Sequence, residues 1–240
     1  MSFYTAASGA GQQQARMNVQ ANNIANIGTY GFKAERPSFA ALMYGVIQGA
    51  EGAQLPRGSG GRMAMAGTDF GQGAVADTGR SQDYAILGDG FFALYDPGAD
   101  EISYTRSGAF SPASFRQPGQ DGVLETVYML SDGNGRFVLD RQGGLIQVTD
   151  ADAEQPVGVF DFMSVDGMRH LGENRFAPVE KNGPVRLGSG SVRRGMLEMS
   201  NTDLAAELGK VIEAQRSYSY ALKMVQATDE VETTINGLRT

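Results

Sequence analysis

The chain has 240 residues, 41% of them hydrophobic, which is enough for a sizeable core in one large or two modest domains. It has no cysteine, which excludes disulfides, thiolate nucleophiles and cysteine-ligated metals, and 33 glycines, about twice the usual share of about 7%, which point to many turns. A formal net charge of −7 leaves no basic stripe to neutralise phosphates and argues against a nucleic-acid partner.

Phe3, Ala7, Ala10, Gln14, Met17, Ala21 and Ile24 are separated by alternating steps of four and three, a heptad seam of mostly small side chains that a second helix can approach closely. Gly9 and Gly11 each weaken such a helix by about 1 kcal/mol relative to alanine, so the segment is marginal alone. The opening "MSFYTAASGAGQQQARM" lacks a basic n-region and an apolar h-region, so no cleavable secretory signal is visible, and any export would use a route that reads none. The seam runs into "ANNIANIGTYGFKAERPSF", Ala21 to Phe39, where asparagines and glycines crowd together. This knot is expected to end the helix and turn the chain. Gly28 and Gly31 would allow left-handed turns, Tyr30 and Phe32 would anchor the joint, and Asn22, Asn23 and Asn26 would bond free backbone groups across subunits. Residues 1–35 are thus read as an N-terminal assembly helix and joint.

Residues 36–74 include "GAEGAQLPRGSGGRMAMAGTDFGQG", Gly49 to Gly73, which is rich in small residues and is expected to be an extended, flexible connector. From 75 to 194 the rhythm changes to period two. "DYAILGDGFFALYD" reads as a strand, a Gly-Asp-Gly turn and a strand; "EISYTRSGAF" adds a strand ending near Gly108. "VLETVYMLSDGNGRFVLD" reads as two strands around a turn at Ser131 to Gly135, and "GGLIQVTD" and "VGVFDFMSVDG" supply two more. An all-β domain with irregular or barrel-like closure is expected.

This region offers no convincing chemistry. His170 is the sole histidine and has no cysteine to join it at a metal. No G-x-S-x-G elbow is present, and "GSGSVRRG", Gly188 to Gly195, lacks the lysine of a phosphate loop. Asp150, Asp152 and Glu154 read as a solvated acidic run, and nothing sets a separation between Asp83 and Asp89 that would suit glycosidase chemistry. No catalytic, cofactor or metal residue is assigned, and no run approaches the roughly 18 apolar residues of a membrane span.

Residues 195–240 hold the second assembly helix. "SNTD", Ser200 to Asp203, supplies N-cap residues, and no proline occurs from Leu204 to Leu238. Leu204, Leu208, Val211, Gln215, Tyr218, Leu222 and Val225 repeat the four–three rhythm, which then passes to Met224, Thr228, Val231, Ile235 and Leu238. Such a helix would span roughly 50 Å. The expected fold is mainly β with α: N- and C-terminal coiled-coil helices joined as one assembly domain, with an inserted all-β domain.

"ANNIANIGTYGFK", Ala21 to Lys33, resembles the signature of the flagellar basal-body rod, hook and hook-associated family, of the form A-N-N-[IL]-A-N-x-x-T-x-G-[FY]-[KR]. "GMLEMSNTDLAAELGKVIEAQRSYSYALKMVQATDE", Gly195 to Glu230, is similar to the family's C-terminal segment, and "DYAILGDGFFAL" with "YTRSGAF" looks like its β entry. Thr202 stands where valine is usual, and "SPASFRQPGQDG", Ser111 to Gly122, replaces the usual short turn, which puts the local β topology in doubt.

The resemblance implies a non-enzymatic subunit with no cofactor, exported unfolded through the flagellar type III apparatus and built into the periplasm-spanning rod of the basal body. Terminal helices of neighbouring subunits would form an inner coiled-coil tube, with β domains outside. The implied partners are copies of itself, other rod and hook proteins, the export apparatus and surrounding ring proteins, with no nucleic acid and no membrane insertion. The assembly residues would be Phe3, Ala7, Ala10, Met17, Ala21, Asn22, Asn23, Ile24, Asn26, Gly31 and Phe32 at one end. At the other they would be Ser200, Asn201, Leu204, Leu208, Val211, Gln215, Arg216, Tyr218, Leu222 and Val225. The short chain leans towards a proximal rod subunit over a distal one, and both over a hook subunit. A secreted β-domain binding module or cell-wall enzyme is the rival from another class.

Overall fold

The four–three rhythms at the two ends form helices, and the period-two stretches between them form strands. The structure, a computed structural model, describes residues 2–41, 45–48, 54–57, 61–118, 124–150 and 152–238. Helix α1 (Ser2–Ala25) is followed by strands β1 (Glu35–Ala41), β2 (Gly45–Gln48), β3 (Gln54–Arg57), β4 (Gly61–Thr68), β5 (Val75–Asp77) and β6 (Tyr84–Leu87). Next come β7 (Phe92–Asp96), β8 (Glu101–Thr105), β9 (Ser111–Pro118), β10 (Leu124–Ser131), β11 (Phe137–Val138) and β12 (Phe160–Asp161). The chain ends with β13 (Arg169–Gly172), β14 (Arg175–Ala177), β15 (Arg186–Leu187), β16 (Ser191–Arg194), β17 (Met196–Glu198) and helix α2 (Leu204–Gly237). Contacts divide the chain into two compact units. One, the helical unit, comprises Met1–Ala25, Glu35–Gly67 and Asp203–Thr240; the other, the β unit, comprises Asn26–Ala34 and Thr68–Thr202.

In the β unit, seven antiparallel strands form a sheet in the order β13-β14-β8-β7-β11-β10-β9. Successive side chains of a strand point to opposite faces, and β7 uses both. Phe92 and Leu94 join a core with Tyr84, Ile86, Phe110, Leu130 and Val138, while the alternate residues Phe91 and Ala93 join a second with Tyr104, Phe162, Met168 and Phe176. Apolar residues on both faces explain why "FFAL" reads as a continuous hydrophobic run. Phe70 meets Phe91 and Phe176 edge to face, with ring centres 5.3 and 5.0 Å apart.

The pairing differs from the sequence expectation at two places. The strands either side of Gly88-Asp89-Gly90 do not form a hairpin: β6 pairs with β16 instead, Tyr84 facing Arg194 and Leu87 facing Ser191. Gly90 has φ +128°, and a Cβ there would lie 2.4 Å from Val159 Cγ1, so the chain turns away at that point into a backbone only glycine tolerates, and Phe91 bridges to Phe160. The sheet is also open rather than closed: among the described residues its edges are β13 and β9. The stretch with the atypical "SPASFRQPGQDG" supplies edge strand β9, paired along its length with β10. An edge is where Pro112 and Pro118, each without an N–H, can be accommodated.

In the helical unit α1 and α2 pack side by side. Asn23 meets Glu207 and Arg16 meets Glu213, so the helices run antiparallel. Asp203 caps α2, its Oδ1 accepting the N–H groups of Ala205 at 2.9 Å and Ala206 at 3.2 Å. Within residues 36–74, β1 pairs with β4 and β2 with β3 as two-stranded ribbons, the extended form open to small and polar side chains.

Candidate functional site

The asparagine–glycine motif begins at the end of α1, in the helical unit. Asn23 is 1% exposed, and its amide acts as a piece of backbone: Oδ1 accepts the N–H of Glu35 at 2.8 Å and Nδ2 donates to the Glu35 carbonyl at 2.9 Å. Nδ2 also lies 3.3 Å from Glu207 Oε2, and Lys210 holds the other oxygen of that carboxylate. A buried amide with both ends satisfied fixes where β1 leaves the helix. The bonds seen for Asn23 lie within its own chain. Asn22 and Ala21 are exposed beside it.

The rest of the motif lies in the β unit. Asn26 starts the turn, its carbonyl accepting the N–H of Thr29 at 3.1 Å and its Oδ1 the Thr29 hydroxyl at 3.2 Å. Gly31 has φ +69°, and a Cβ there would sit 2.3 Å from the backbone nitrogen of Ser107, so both conformation and space demand glycine. Gly28 does not have a positive φ, so only one of the two glycines makes the left-handed turn. Phe32 is buried, whereas Tyr30 is 41% exposed.

Lys33 and Glu198, both with fully buried side chains, form an ion pair of 2.6 Å. Glu198 also accepts the N–H of Gly73 at 2.8 Å on Oε1 and Arg106 Nη1 at 3.3 Å on Oε2, while its carbonyl accepts the N–H of Gly31 at 2.7 Å. Lys33 donates further to the Gly71 carbonyl, and Arg106 to that of Gly88, both at 2.8 Å, with the guanidinium 5.5 Å from the Phe91 ring centre. Burial lowers the Lys33 pKa below the ordinary lysine value, and the neighbouring Glu198 charge opposes that shift. Asn201 completes the clamp: Oδ1 accepts the N–H of Ala34 at 2.8 Å, and Nδ2 donates to the carbonyls of Asp69 at 2.8 Å and Gly71 at 3.0 Å. Four stretches far apart in sequence, around Lys33, Gly71, Arg106 and Glu198, are thereby locked around one carboxylate. The ion cluster that joins these stretches is not visible in any of them taken separately. Its signal was a charge set among uncharged neighbours: Lys33 after Phe32, Arg106 between Thr105 and Ser107, and Glu198 between Leu197 and Met199.

Each expected heptad seam divides between two environments. On α1, Ala10 is buried and Met17 and Ile24 half-buried, while Ala7, Gln14 and Ala21 are exposed; the Phe3 side chain lies outside the described ones. On α2, Val211, Tyr218 and Val225 are half-buried, while Leu204, Leu208, Gln215, Arg216 and Leu222 are exposed. Among the described side chains of α2, Glu207 and Ala214 are buried, at 5% and 0% exposure. Ser200 and Asn201, half-buried, belong to the β unit. Large apolar side chains of α2 face outwards instead: Leu208 47%, Ile212 52%, Met224 58%, Val231 58% and Ile235 51% exposed. A cavity of about 380 Å³ in the helical unit is lined by Arg16, Gln20, Glu35, Arg36, Pro37, Glu207 and Lys210.

The residues screened for chemistry have structural surroundings. The His170 ring stands edge to face on Phe176, 4.8 Å between centres, with Nε2 2.6 Å from the Thr68 hydroxyl. Asp150 turns its carboxylate on the N–H of Asp152. Among the described residues no group of acids and histidine gathers in a way that could hold a metal ion, and no helix is long and apolar enough to cross a membrane.

Comparison with known proteins agrees with these two sequence ends. A family model described as flagella basal body rod protein matches residues 3–33, and one described as flagellar basal body rod FlgEFG protein C-terminal matches residues 193–238. The flagellar basal-body rod protein FlgG of Bacillus subtilis is 31% identical over 266 aligned positions, covering 96% of each chain. FlgG of Caulobacter vibrioides is 30% identical across 98% of each chain. The flagellar basal-body rod protein FlgF of Caulobacter vibrioides is 31% identical over 228 positions, covering 90% of this chain and 88% of that one.

Proposed function

This chain belongs to the flagellar basal-body rod family, and from that premise we propose that it builds a helical axial shaft by self-assembly, with the exposed apolar residues of α2 as its main contacts. It is a structural, non-enzymatic subunit of the basal-body rod. The shaft transmits torque from motor to hook. Terminal helices of neighbouring copies pack as coiled coils, other rod and hook proteins continue the shaft, ring proteins surround it, and the type III apparatus exports the chain.

The observation that carries this reading is the outward-facing apolar side chains of α2. Leu204, Leu208, Ile212 and Leu222 lie on one flank and Met224, Val231 and Ile235 on the opposite one further along, each 40–58% exposed, in a helix of 34 residues that outruns the 24 residues of α1. Apolar residues repeated along one helix and left in water mark a surface awaiting a partner. A contact of that kind, repeated head to tail without closing, gives a filament. The 240-residue length of the chain leans this reading towards a proximal rod subunit over a distal one.

Sedimentation velocity and negative-stain microscopy of the purified chain over rising concentration test the proposal. The wild type is expected to polymerise. The double variant Leu208→Ser, Ile235→Ser should need about tenfold higher concentration or more, because each leucine-sized burial is worth about 1.5–3 kcal/mol. Helix content by circular dichroism should be unchanged. A wild-type chain that stays monomeric throughout would favour a self-contained binding module, a rival that draws on the packing of α1 against α2 within one chain.

A further inference from the structure

We propose that the polar cavity of the helical unit is a receptor for the peptide backbone of a second copy of this chain, with Gln20 as the residue that reads it. The inference rests on the rod reading, which supplies the second copy as neighbour. Gln20 is 1% exposed, and among the described residues neither its Oε1 nor its Nε2 has a hydrogen-bond partner. A buried amide with donor and acceptor both unmet destabilises the fold that holds it, so its presence calls for a reason. Gln20 lines the cavity of about 380 Å³ together with Arg16, Pro37, Glu207 and Lys210.

The same helix displays what such an amide does. Asn23, three residues on and therefore on the same face, bonds both the N–H and the carbonyl of Glu35, reading one residue of an extended strand from its edge. Gln20 presents the same donor–acceptor pair one turn earlier, with nothing in that role. An extended segment entering the cavity would offer Gln20 a carbonyl and an N–H together, as Glu35 offers them to Asn23.

Charge selects the class of ligand. Of the three cations lining the cavity, Arg16 is matched by Glu213 at 3.2 Å and Lys210 by Glu207 within the unit, and Arg36 has interactions of its own. A phosphate or a free carboxylate would have to displace those acids, whereas a neutral peptide group would not. The side chains of Arg16 and Lys210 are 24% and 46% exposed, long and unbranched, and can swing outwards to admit the segment.

The test uses the full chain with Gln20→Leu, which keeps the volume and removes both hydrogen-bonding groups, and Gln20→Met as a second apolar variant against a packing fault. Two quantities are read: the melting temperature of the dilute monomer and the concentration at which polymer appears. Both variants should melt at or above the wild-type temperature yet require about tenfold more protein to assemble, the loss expected for one buried hydrogen-bonded contact. Assembly at the wild-type concentration would overturn the proposal and leave an internal cavity holding solvent only. A lowered melting temperature in both variants would also overturn it, because Gln20 would then be bonded within its own chain. If the wild type itself never polymerises, the rod reading fails and takes this receptor with it, an outcome distinct from an unaffected variant.

Discussion

In the β unit two clusters of apolar side chains are buried, although Tyr128, Met163 and Leu187 stay exposed, and the buried Lys33, Arg106 and Glu198 hold one another. In the helical unit the large apolar side chains of α2 face water, while Gln20, Asn23 and Glu207 lie inside. The first arrangement is that of a finished domain: both faces of the sheet are covered, and Lys33, Arg106 and Glu198 are matched in one cluster. The second is that of a part. Its interior holds Gln20, whose amide has no partner among the described residues, and the exterior of α2 carries large apolar side chains. The contrast is the one expected if, as proposed, the helical unit gains its partners in the assembly while the β unit packs on its own.

Substitutions can break or sharpen that contrast. The largest effect is expected from Glu198→Ala. It strips the fully buried Lys33 and the nearly buried Arg106 of their carboxylate, and removing one member of such a buried pair typically costs about 3–5 kcal/mol. Urea unfolding followed by near-ultraviolet circular dichroism measures it; a loss under about 1 kcal/mol, the range of exposed pairs, would show that the cluster is solvated and the contrast overstated.

Gly31→Ala is expected to cost less, about 1–3 kcal/mol, from a left-handed backbone at φ +69° and a Cβ forced to 2.3 Å from the Ser107 nitrogen. The same unfolding curve gives it, and unchanged stability would mean the turn relaxes freely. The smallest effect belongs to Glu213→Ala in the helical unit. Its partner Arg16 is 24% exposed and Glu213 itself 64%, so the pair is screened by water and its loss should shift the midpoint by no more than about 1 kcal/mol. A loss as large as that of Glu198→Ala would erase the distinction drawn between the units.

Much of this was legible in the residues. The four–three rhythm located both helices, "SNTD" located the cap of α2, and alternation located β7, β8 and β10. The motif around Gly31 was legible because only glycine can make that turn, and the two terminal motifs pointed to the family. Less legible was the direction each residue faces. Ala10, Met17 and Ile24 turn inwards and Ala7, Gln14 and Ala21 outwards, although one heptad contains them all. Hydrophobicity marks a stripe to be buried without saying whether the cover is in the same chain or another.

By itself the sequence determined what depends on neighbours a few residues away: helix, strand, cap and turn, together with the motifs that place the chain in its family. The tertiary structure decided what depends on residues far apart. It paired β6 with β16 rather than β7, gathered Lys33, Arg106 and Glu198 around one carboxylate, and turned Gln20 inwards and Leu208 outwards. The physical reason is range. Backbone propensity and periodicity act along the chain, whereas burial of charge and choice of strand partner are settled only when distant segments compete for the same space.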